Sequence, residues 1–569
     1  MTSTAQSIQD EPRLPTATDY RRWLYPLALI ALCCALYFWL LGLTPLDDFD
    51  EAYYAEGARE MLARGDLGTP FYNGHPFLLK PILVYWLIAG AFRLFGTTEF
   101  AARSASAFFA IMTVLATYWF GCRTLGRRAG FLAGLILALN YLWIDTAREA
   151  MIDMPLAAAL VPAMFFLYCA VQDSATRKRR WYLAAAALLG IALLAKGPLA
   201  AGVVLLGFIA YLLSAGRLSN TIREAPLLSG LLLVSLVAAP WYLYESIRHP
   251  DFLRVFFIQE HFGHLRGELA RDEPWWGHLK NLFVGFYPWI AFVPAAFVYA
   301  FRQCAREHVL RFAAWWALVV VTAFSLAGAK LPHYLVPAYP ALALLVAGWF
   351  DAWIGCRARG RALVGAGYAI LIGVGVVLAF GAVLSAWMPP RAAHLLAARY
   401  GDWTPGYAPS VMLGALAVGS LAALLAAARN RRRLTPLFLA GGVFVAGIAH
   451  VGWFKPRLAQ IQAQPRKELA QFVSVAVPAS EPLGVYYAKR NATIFYARRP
   501  IVDLGEWEID PLLEFLSSPS PAIALTHSKF LPEIEEAVPS ARVWTRRGEW
   551  VLVANHPLDR HLAPDSGGE

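Results

Sequence analysis

The chain reads as an all-α polytopic membrane protein of about thirteen transmembrane helices, followed by a small C-terminal α/β unit. Three observations predict this. Hydrophobic residues make up 58% of the 569 and charged residues only 16%, with a mean hydropathy of +0.48, far from the balance of soluble proteins. Apolar runs that can span a bilayer recur at 23–43, 101–121, 128–144, 154–171, 181–195, 198–214, 226–244, 283–301, 309–328, 334–354, 362–386, 410–428 and 435–452. After Pro456 the composition turns soluble, and apolar segments of strand and helix period alternate.

The net charge of +11 does not point to nucleic acid. The basic residues sit in short clusters between apolar runs (Arg123/Arg127/Arg128, Arg177–Arg180, Arg217/Arg223, Arg302/Arg306, Arg357/Arg359/Arg361, Arg429/Arg431–Arg433), as in the cytoplasmic loops of membrane proteins. With Arg21-Arg22 before the first run, all these clusters fall on one face if the shorter run 81–95 lies in the outer interface as an amphipathic helix. That places the N-terminus inside, the C-terminus outside, and the first apolar run as an uncleaved helix. The six cysteines show no metal-ligand spacing and no disulfide framework.

This topology assigns to the outer face the loops 44–100, 145–153, 195–198, 245–282, 329–333 and 387–409. They hold Asp47/Asp48/Asp50/Glu51, Lys80, Asp145/Arg148/Glu149/Asp153, Lys196, Glu260/His261/His264/Arg266 and Lys330/His333. Ionisable groups beside a bilayer are costly and tend to be functional, so their convergence on one side predicts an external active site.

Each candidate also has a structural reading. Asp50-Glu51 can take a proton from an acceptor or hold a cation against a phosphate; Asp-Phe-Asp-Glu also suits a helix N-terminus, with Tyr54 one turn on. Lys80 heads the amphipathic run, where an ammonium neutralises a phosphate or snorkels as an anchor. Asp153 heads a span and could cap it. His261 and His264 stand at i and i+3 with Glu260, too small a set to assert a metal site. Arg266 suits a phosphate clamp; Lys330 and His333 flank Leu331-Pro332 at a span mouth. Lys196, in a turn between two spans, reads as solvated. The α/β unit, 456–569, is expected to have helices at 469–477 and 511–517 and strands at 483–488, 493–502, 522–525, 542–545 and 550–554; it has no phosphate loop or nucleophile elbow.

Asp50-Glu51-Ala52-Tyr53-Tyr54-Ala55-Glu56, Gly65-Asp66, Asn73-Gly74, Lys80-Pro81, Tyr85-Trp86 and Phe95-Gly96 resemble the first outer loop of the polyprenyl-phosphate-dependent glycosyltransferases of the C-type membrane fold. The resemblance is to the branch of 4-amino-4-deoxy-L-arabinose lipid A transferases and their protein O-mannosyltransferase-like relatives. Asp153-Met154-Pro155, Ala195-Lys196-Gly197-Pro198, Ala239-Pro240-Trp241-Tyr242, Glu260-His261-Phe262 and the stretch 325–340 extend it to about residue 355.

The resemblance implies a transmembrane glycosyltransferase domain over 1–455, with large outer loops 44–100 and 245–282, in a bacterial inner membrane. It implies transfer of a sugar from undecaprenyl phosphate to lipid A or another periplasmic acceptor. Asp50 and Asp153 match the family's two outer aspartates; Lys80 matches the lysine at the carrier phosphate, and Tyr54 and His261 match residues nearby. With Arg266, Glu51, Lys330 and His333 they form the expected site. A divalent cation is optional: Leu79 stands where the family often has an acidic residue, and Phe77 where some relatives have tyrosine. A protein acceptor, or transport of the lipid-linked sugar, are the alternative readings.

Overall fold

A computed structural model describes residues 17–47, 50–173, 175–262, 274, 276–302, 308–357, 361–387 and 407–557. Mostly helical, the chain begins with α1 (Ala17–Tyr37), α2 (Asp50–Arg64), α3 (Leu83–Phe95), α4 (Glu99–Thr124), α5 (Arg127–Ala138), α6 (Tyr141–Ala147) and α7 (Asp153–Gln172). It continues through α8 (Ala175–Lys196), α9 (Pro198–Ser214), α10 (Leu218–Glu224) and α11 (Leu227–Arg248), then α12 (Gly277–Gly285), α13 (Val293–Arg302), α14 (His308–Leu326), α15 (Tyr339–Ile354), α16 (Arg361–Trp387), α17 (Ala408–Ala428) and α18 (Thr435–Ala449). By length and hydropathy, eight helices among the described residues can cross a membrane, or up to eleven if each of three bent helix pairs is one span. α3, at thirteen residues, rises only about 20 Å, short of the ~30 Å hydrocarbon layer.

The span ending in α15 is almost wholly enclosed by its neighbours, while α11 and α16 turn most of their apolar surface outward. Around α15 the core is aromatic: Phe120 stacks on Phe165 at 4.1 Å and Trp349 on Trp353 at 5.8 Å. Small residues set the closest crossings, as is usual between membrane helices. At the α4–α5 contact a Cβ on Gly130 would stand 2.5 Å from the Cys122 nitrogen and 2.8 Å from the Tyr118 carbonyl. Gly419 and Gly442 meet in the same way between α17 and α18.

The C-terminal segment folds around a five-stranded sheet in the order β4-β3-β5-β7-β6, where β3 is Leu483–Val485, β4 Ile501–Asp503, β5 Ile523–His527, β6 Arg542–Arg547 and β7 Trp550–Ala554. β3 runs parallel to β4 and β5, and β7 antiparallel to β5 and β6. The expected strand 493–502 is a correction: Arg490–Ala497 is a helix, α21, and only Ile501–Asp503 is strand. Thr493-Ile494-Phe495-Tyr496 has strand-like composition, but a short apolar run cannot declare its own period, and Thr493 to Ala497 are all buried in the helix. The soluble segment does not begin cleanly at 456 either. α18 runs through a π-turn (His450–Phe454) into α19 (Lys455–Gln462), and α20 (Gln464–Ala476) follows.

The C-terminal segment sits on the loop between α1 and α4. β1 (Phe71–Tyr72) and β2 (His75–Pro76) form a hairpin whose turn, Asn73-Gly74, has both φ angles positive, the two-residue turn these residue types favour. The Asn73 side chain donates to the Ile501 carbonyl at 3.0 Å and accepts from its N–H at 2.8 Å. Tyr496 accepts from the Leu46 N–H at 2.8 Å and donates to Glu99 at 2.9 Å.

The α4–α5 crossing predicts that Gly130→Leu lowers the thermal midpoint of the detergent-solubilised protein, at a cost of about 1–3 kcal/mol from overpacking. Gly90→Ala, at a glycine with open space around it, should not lower it.

Candidate active site

The loop leaving α1 is fixed by a buried ion pair. Arg103 on α4 and Glu51 on α2 are 4% and 2% exposed. Arg103 donates to both Glu51 oxygens at 2.6 and 2.7 Å, and to the carbonyls of Leu41, Thr44 and Pro45 at 2.8–2.9 Å. Glu51 also accepts the N–H groups of Asp47 at 2.7 Å and Ala150 at 2.9 Å. Burial alone would raise the Glu51 carboxyl, but the guanidinium and these two N–H groups outweigh it and hold the carboxyl below its usual range.

Asp50 at the head of α2 lines a cavity of about 490 Å³ with Asp47, Glu51, Tyr53, Phe77, Lys80, Glu149, His333 and Asn491. Lys80 pairs with Glu260. Leu79 and Lys80 also line an adjoining, mainly apolar pocket of about 90 Å³ that reaches Lys196, Phe256, Phe324 and Tyr334. Lys196 Nζ lies 2.7 Å from Asp153 Oδ1 and 4.9 Å from the centre of the Tyr334 ring. Asp153, 2% exposed at the start of α7, has no hydrogen-bond partner for its second oxygen among the described residues. The charges of Asp50, Asp153, Lys80 and Lys196 all act on His333. A third cavity, of about 200 Å³, shares Asp47, Glu51 and Glu149 with the first.

A cavity that joins carboxylates to lysines beside an apolar pocket suits a lipid-linked anionic substrate. A sequence profile of the dolichyl-phosphate-mannose-protein mannosyltransferase family matches residues 79–244. The undecaprenyl phosphate-alpha-4-amino-4-deoxy-L-arabinose arabinosyl transferase of Edwardsiella ictaluri is 28% identical over 530 residues, 89% of this chain and 94% of that relative. The transferase of the same name from Erwinia tasmaniensis is 31% identical over 368 residues, 63% of this chain and 65% of the relative, so that match spans less than two thirds of its length. The crystal structure of ArnT from Cupriavidus metallidurans bound to undecaprenyl phosphate superposes with a TM-score of 0.77 at 24% identity, covering 96% of this chain and 99% of that one. The archaeal oligosaccharyltransferase AglB from Archaeoglobus fulgidus gives 0.51 at 12% identity, covering 97% and 76%.

The chain has the fold of the C-type membrane glycosyltransferases.

Of the residues singled out from the sequence, Asp50, Glu51, Lys80 and His333 line one cavity, and Asp153 joins them through Lys196. Not all stand as expected. Glu51, expected on a substrate, has its carboxylate committed to Arg103 and two backbone N–H groups, because a buried carboxylate needs those partners. Tyr54 is buried edge-on to Tyr85 at 5.7 Å; burial, then the Asp50 charge, push its hydroxyl well above the usual range. Lys330 donates to the carbonyls of Ala327 at 2.7 Å and Gly328 at 3.4 Å, closing the end of α14 where carbonyls lack partners. The side chain of His261, and all of His264 and Arg266, lie outside the described residues. Among the described residues no three His, Cys, Asp or Glu side chains are grouped to hold a metal ion.

Sequence reasoning passed over four residues. Lys196 was read as solvated, yet it is the partner of Asp153; a lone lysine between two apolar runs was the available signal. Tyr53 meets Tyr72 at 4.4 Å and Phe77 at 4.3 Å on the cavity wall. Asn491 comes from α21, misread as strand. For Glu149, burial and the charges of Asp145 and Glu51 push the carboxyl up to about 8 against the pull of Lys455, so at neutral pH it can donate as well as accept.

Arg103→Met strands the Glu51 carboxylate in the protein and is expected to cost about 3–5 kcal/mol, read as a lower thermal midpoint with loss of activity. Pairing it with Glu51→Gln should recover part of the midpoint.

Proposed function

We propose that the enzyme transfers a sugar of the 4-amino-4-deoxy-L-arabinose type from undecaprenyl phosphate to a phosphate-bearing, lipid A-type acceptor. The reaction takes place at the periplasmic face of a bacterial inner membrane. The observation that carries this is the joining of the Asp50 cavity, through Lys80, to an apolar pocket between helix ends. Charge-bearing reactants need the first, and the start of a polyprenyl chain suits the second. The arabinosyl transferases that match most of the chain, and ArnT with undecaprenyl phosphate bound, favour the same carrier.

In this reading thirteen crossings carry the N-terminus inside and the C-terminal segment outside, with α3 lying in the outer interface. The apolar helix Trp23–Tyr37 and α8 complete that count beside the eleven. Residues 1–455 are the transferase domain, and 456–569 are a periplasmic unit that closes over the acceptor side.

Chemically, an acceptor oxygen forms a bond to the sugar's anomeric carbon as the bond from that carbon to the carrier phosphate breaks, with inversion. The electron pair of the broken bond leaves on the phosphate, so no nucleophilic protein residue is required. Lys80, with Lys196 and Arg266, meets the charge that develops there. Asp50 orients the acceptor and takes its proton when the acceptor oxygen is a hydroxyl. Asp153 holds Lys196 in place, and Glu260 does so for Lys80 until phosphate competes for it. His333 contacts the sugar or its phosphate. A protein acceptor is the second reading, favoured by the profile match over 79–244.

Incubation of the purified enzyme with labelled undecaprenyl-phosphate sugar and lipid A should give free carrier and glycosylated lipid. Glycosylation of exported protein alone would favour the second reading. Movement of intact donor across vesicles without carrier release would overturn both. Asp50→Asn should lose at least about 10²-fold in rate while retaining donor binding; Lys80→Gln should weaken donor binding about 10–100-fold.

A further inference from the structure

At the opposite end of α7 from Asp153 lies a cavity that the transfer reaction does not use. The twenty residues of α7 rise about 30 Å, so this cavity opens at the other membrane face. Its volume is about 360 Å³, and its lining includes Arg123 and Thr124 at the end of α4, Tyr168, Gln172 and Asp173 at the end of α7, and His308 at the start of α14.

Among the described residues the charges around it are unbalanced. Asp173 is the one carboxylate in the lining, and it already meets Arg123 at 3.2 Å and Arg177 at 3.5 Å and accepts the Trp181 indole N–H at 3.1 Å. Arg217 donates to Gln172 at 3.1 Å, and Gln172 donates to the Tyr211 hydroxyl at 3.3 Å. Arg217 and Arg311 both act on His308 and Tyr211. Two donors here, His308 Nδ1 and Arg311 Nε, are buried without a hydrogen-bond partner among the described residues. A buried polar nitrogen without a partner is costly, and the Arg123 guanidinium on the lining, with Arg217 one hydrogen bond behind it on Gln172, suits an acceptor with several oxygens. The Arg123 guanidinium lies 5.6 Å from the centre of the Trp181 ring, and an indole of this kind favours the headgroup level.

We propose that this cavity binds the phosphodiester headgroup of one anionic phospholipid, with Arg123 and Arg217 on the phosphate oxygens and His308 at the headgroup's hydroxyls. Basic pockets between membrane helices on the positive face are suited to such headgroups. The site is independent of the transferase reaction, and its occupant is a lipid of the inner leaflet.

The test is native mass spectrometry of the full chain after reconstitution with phosphatidylglycerol or phosphatidylcholine and re-extraction in detergent. The wild type should retain one phosphatidylglycerol at least tenfold over phosphatidylcholine. Arg217→Gln, alone and with Arg123→Gln, should reduce that retention at least tenfold at unchanged monodispersity, whereas Arg177→Gln, on an exposed arginine, should leave it in place. Equal retention of both lipids, or retention unchanged in the double variant, would overturn the proposal. Thermal stabilisation by millimolar inorganic phosphate equal to that given by phosphatidylglycerol would overturn the lipid assignment in favour of a free-anion site.

Discussion

The elements around the Asp50 cavity are registered by the Glu51–Arg103 pair. Two charges buried beside a bilayer lose several kcal/mol of hydration each, and the pair holds only because every remaining hydrogen-bonding position is filled. Those positions are filled by backbone from four places: the exit of α1, the loop before α2, Asp47, and Ala150 just before α7. One ion pair therefore registers α1, α2, α4 and the start of α7 against one another. The aspartates at 50 and 153, a hundred positions apart in sequence, are held near the same cavity by this frame.

The same economy recurs around it. Arg148 donates to the carbonyls of Leu36, Tyr37 and Trp39 at 2.8–3.1 Å, where a cation suits the end of a helix. Lys455, in the rod that leads into the C-terminal segment, lies 2.5 Å from Asp145 and 3.3 Å from Glu149. Tyr496 ties that segment to the loop after α1. Among the described residues the second oxygen of the buried Asp153 carboxylate has no hydrogen-bond partner, while Lys196 meets the first.

Much of the fold was legible because a membrane imposes long apolar runs, and each run read from the sequence falls on a helix or a bent helix pair. The run 81–95 folds as the thirteen-residue α3, shorter than the hydrocarbon layer is thick. Asp50 and Lys80 could be found from their position at a span exit and an interface. Lys196 could not be assigned, because its partner lies 43 positions upstream on another helix and no periodicity links them. Tyr54 and Lys330 were misjudged for a related reason: residue type and proximity to the membrane do not say whether a side chain points into a cavity or into the protein. The α21 error has a different origin, in a run of four β-favouring residues whose helical state is set by burial against neighbouring elements.

The adjacency of Asp50 and Glu51 is itself a physical device. On a helix, neighbouring residues point about 100° apart, so the pair at the head of α2 divides its tasks. Both residues line the cavity, but the Glu51 carboxylate is taken up by Arg103. Glu51 has the extra methylene needed to reach Arg103 on another helix, whereas Asp50 is short and stays at the mouth. An inward Glu51 held by a guanidinium gives α2 a fixed rotation about its axis, and that rotation fixes where the Asp50 carboxylate stands. Position 51 therefore sets the geometry of position 50, and the order aspartate then glutamate carries meaning: with the two exchanged, the shorter side chain would have to reach Arg103 and the longer one would stand at the cavity.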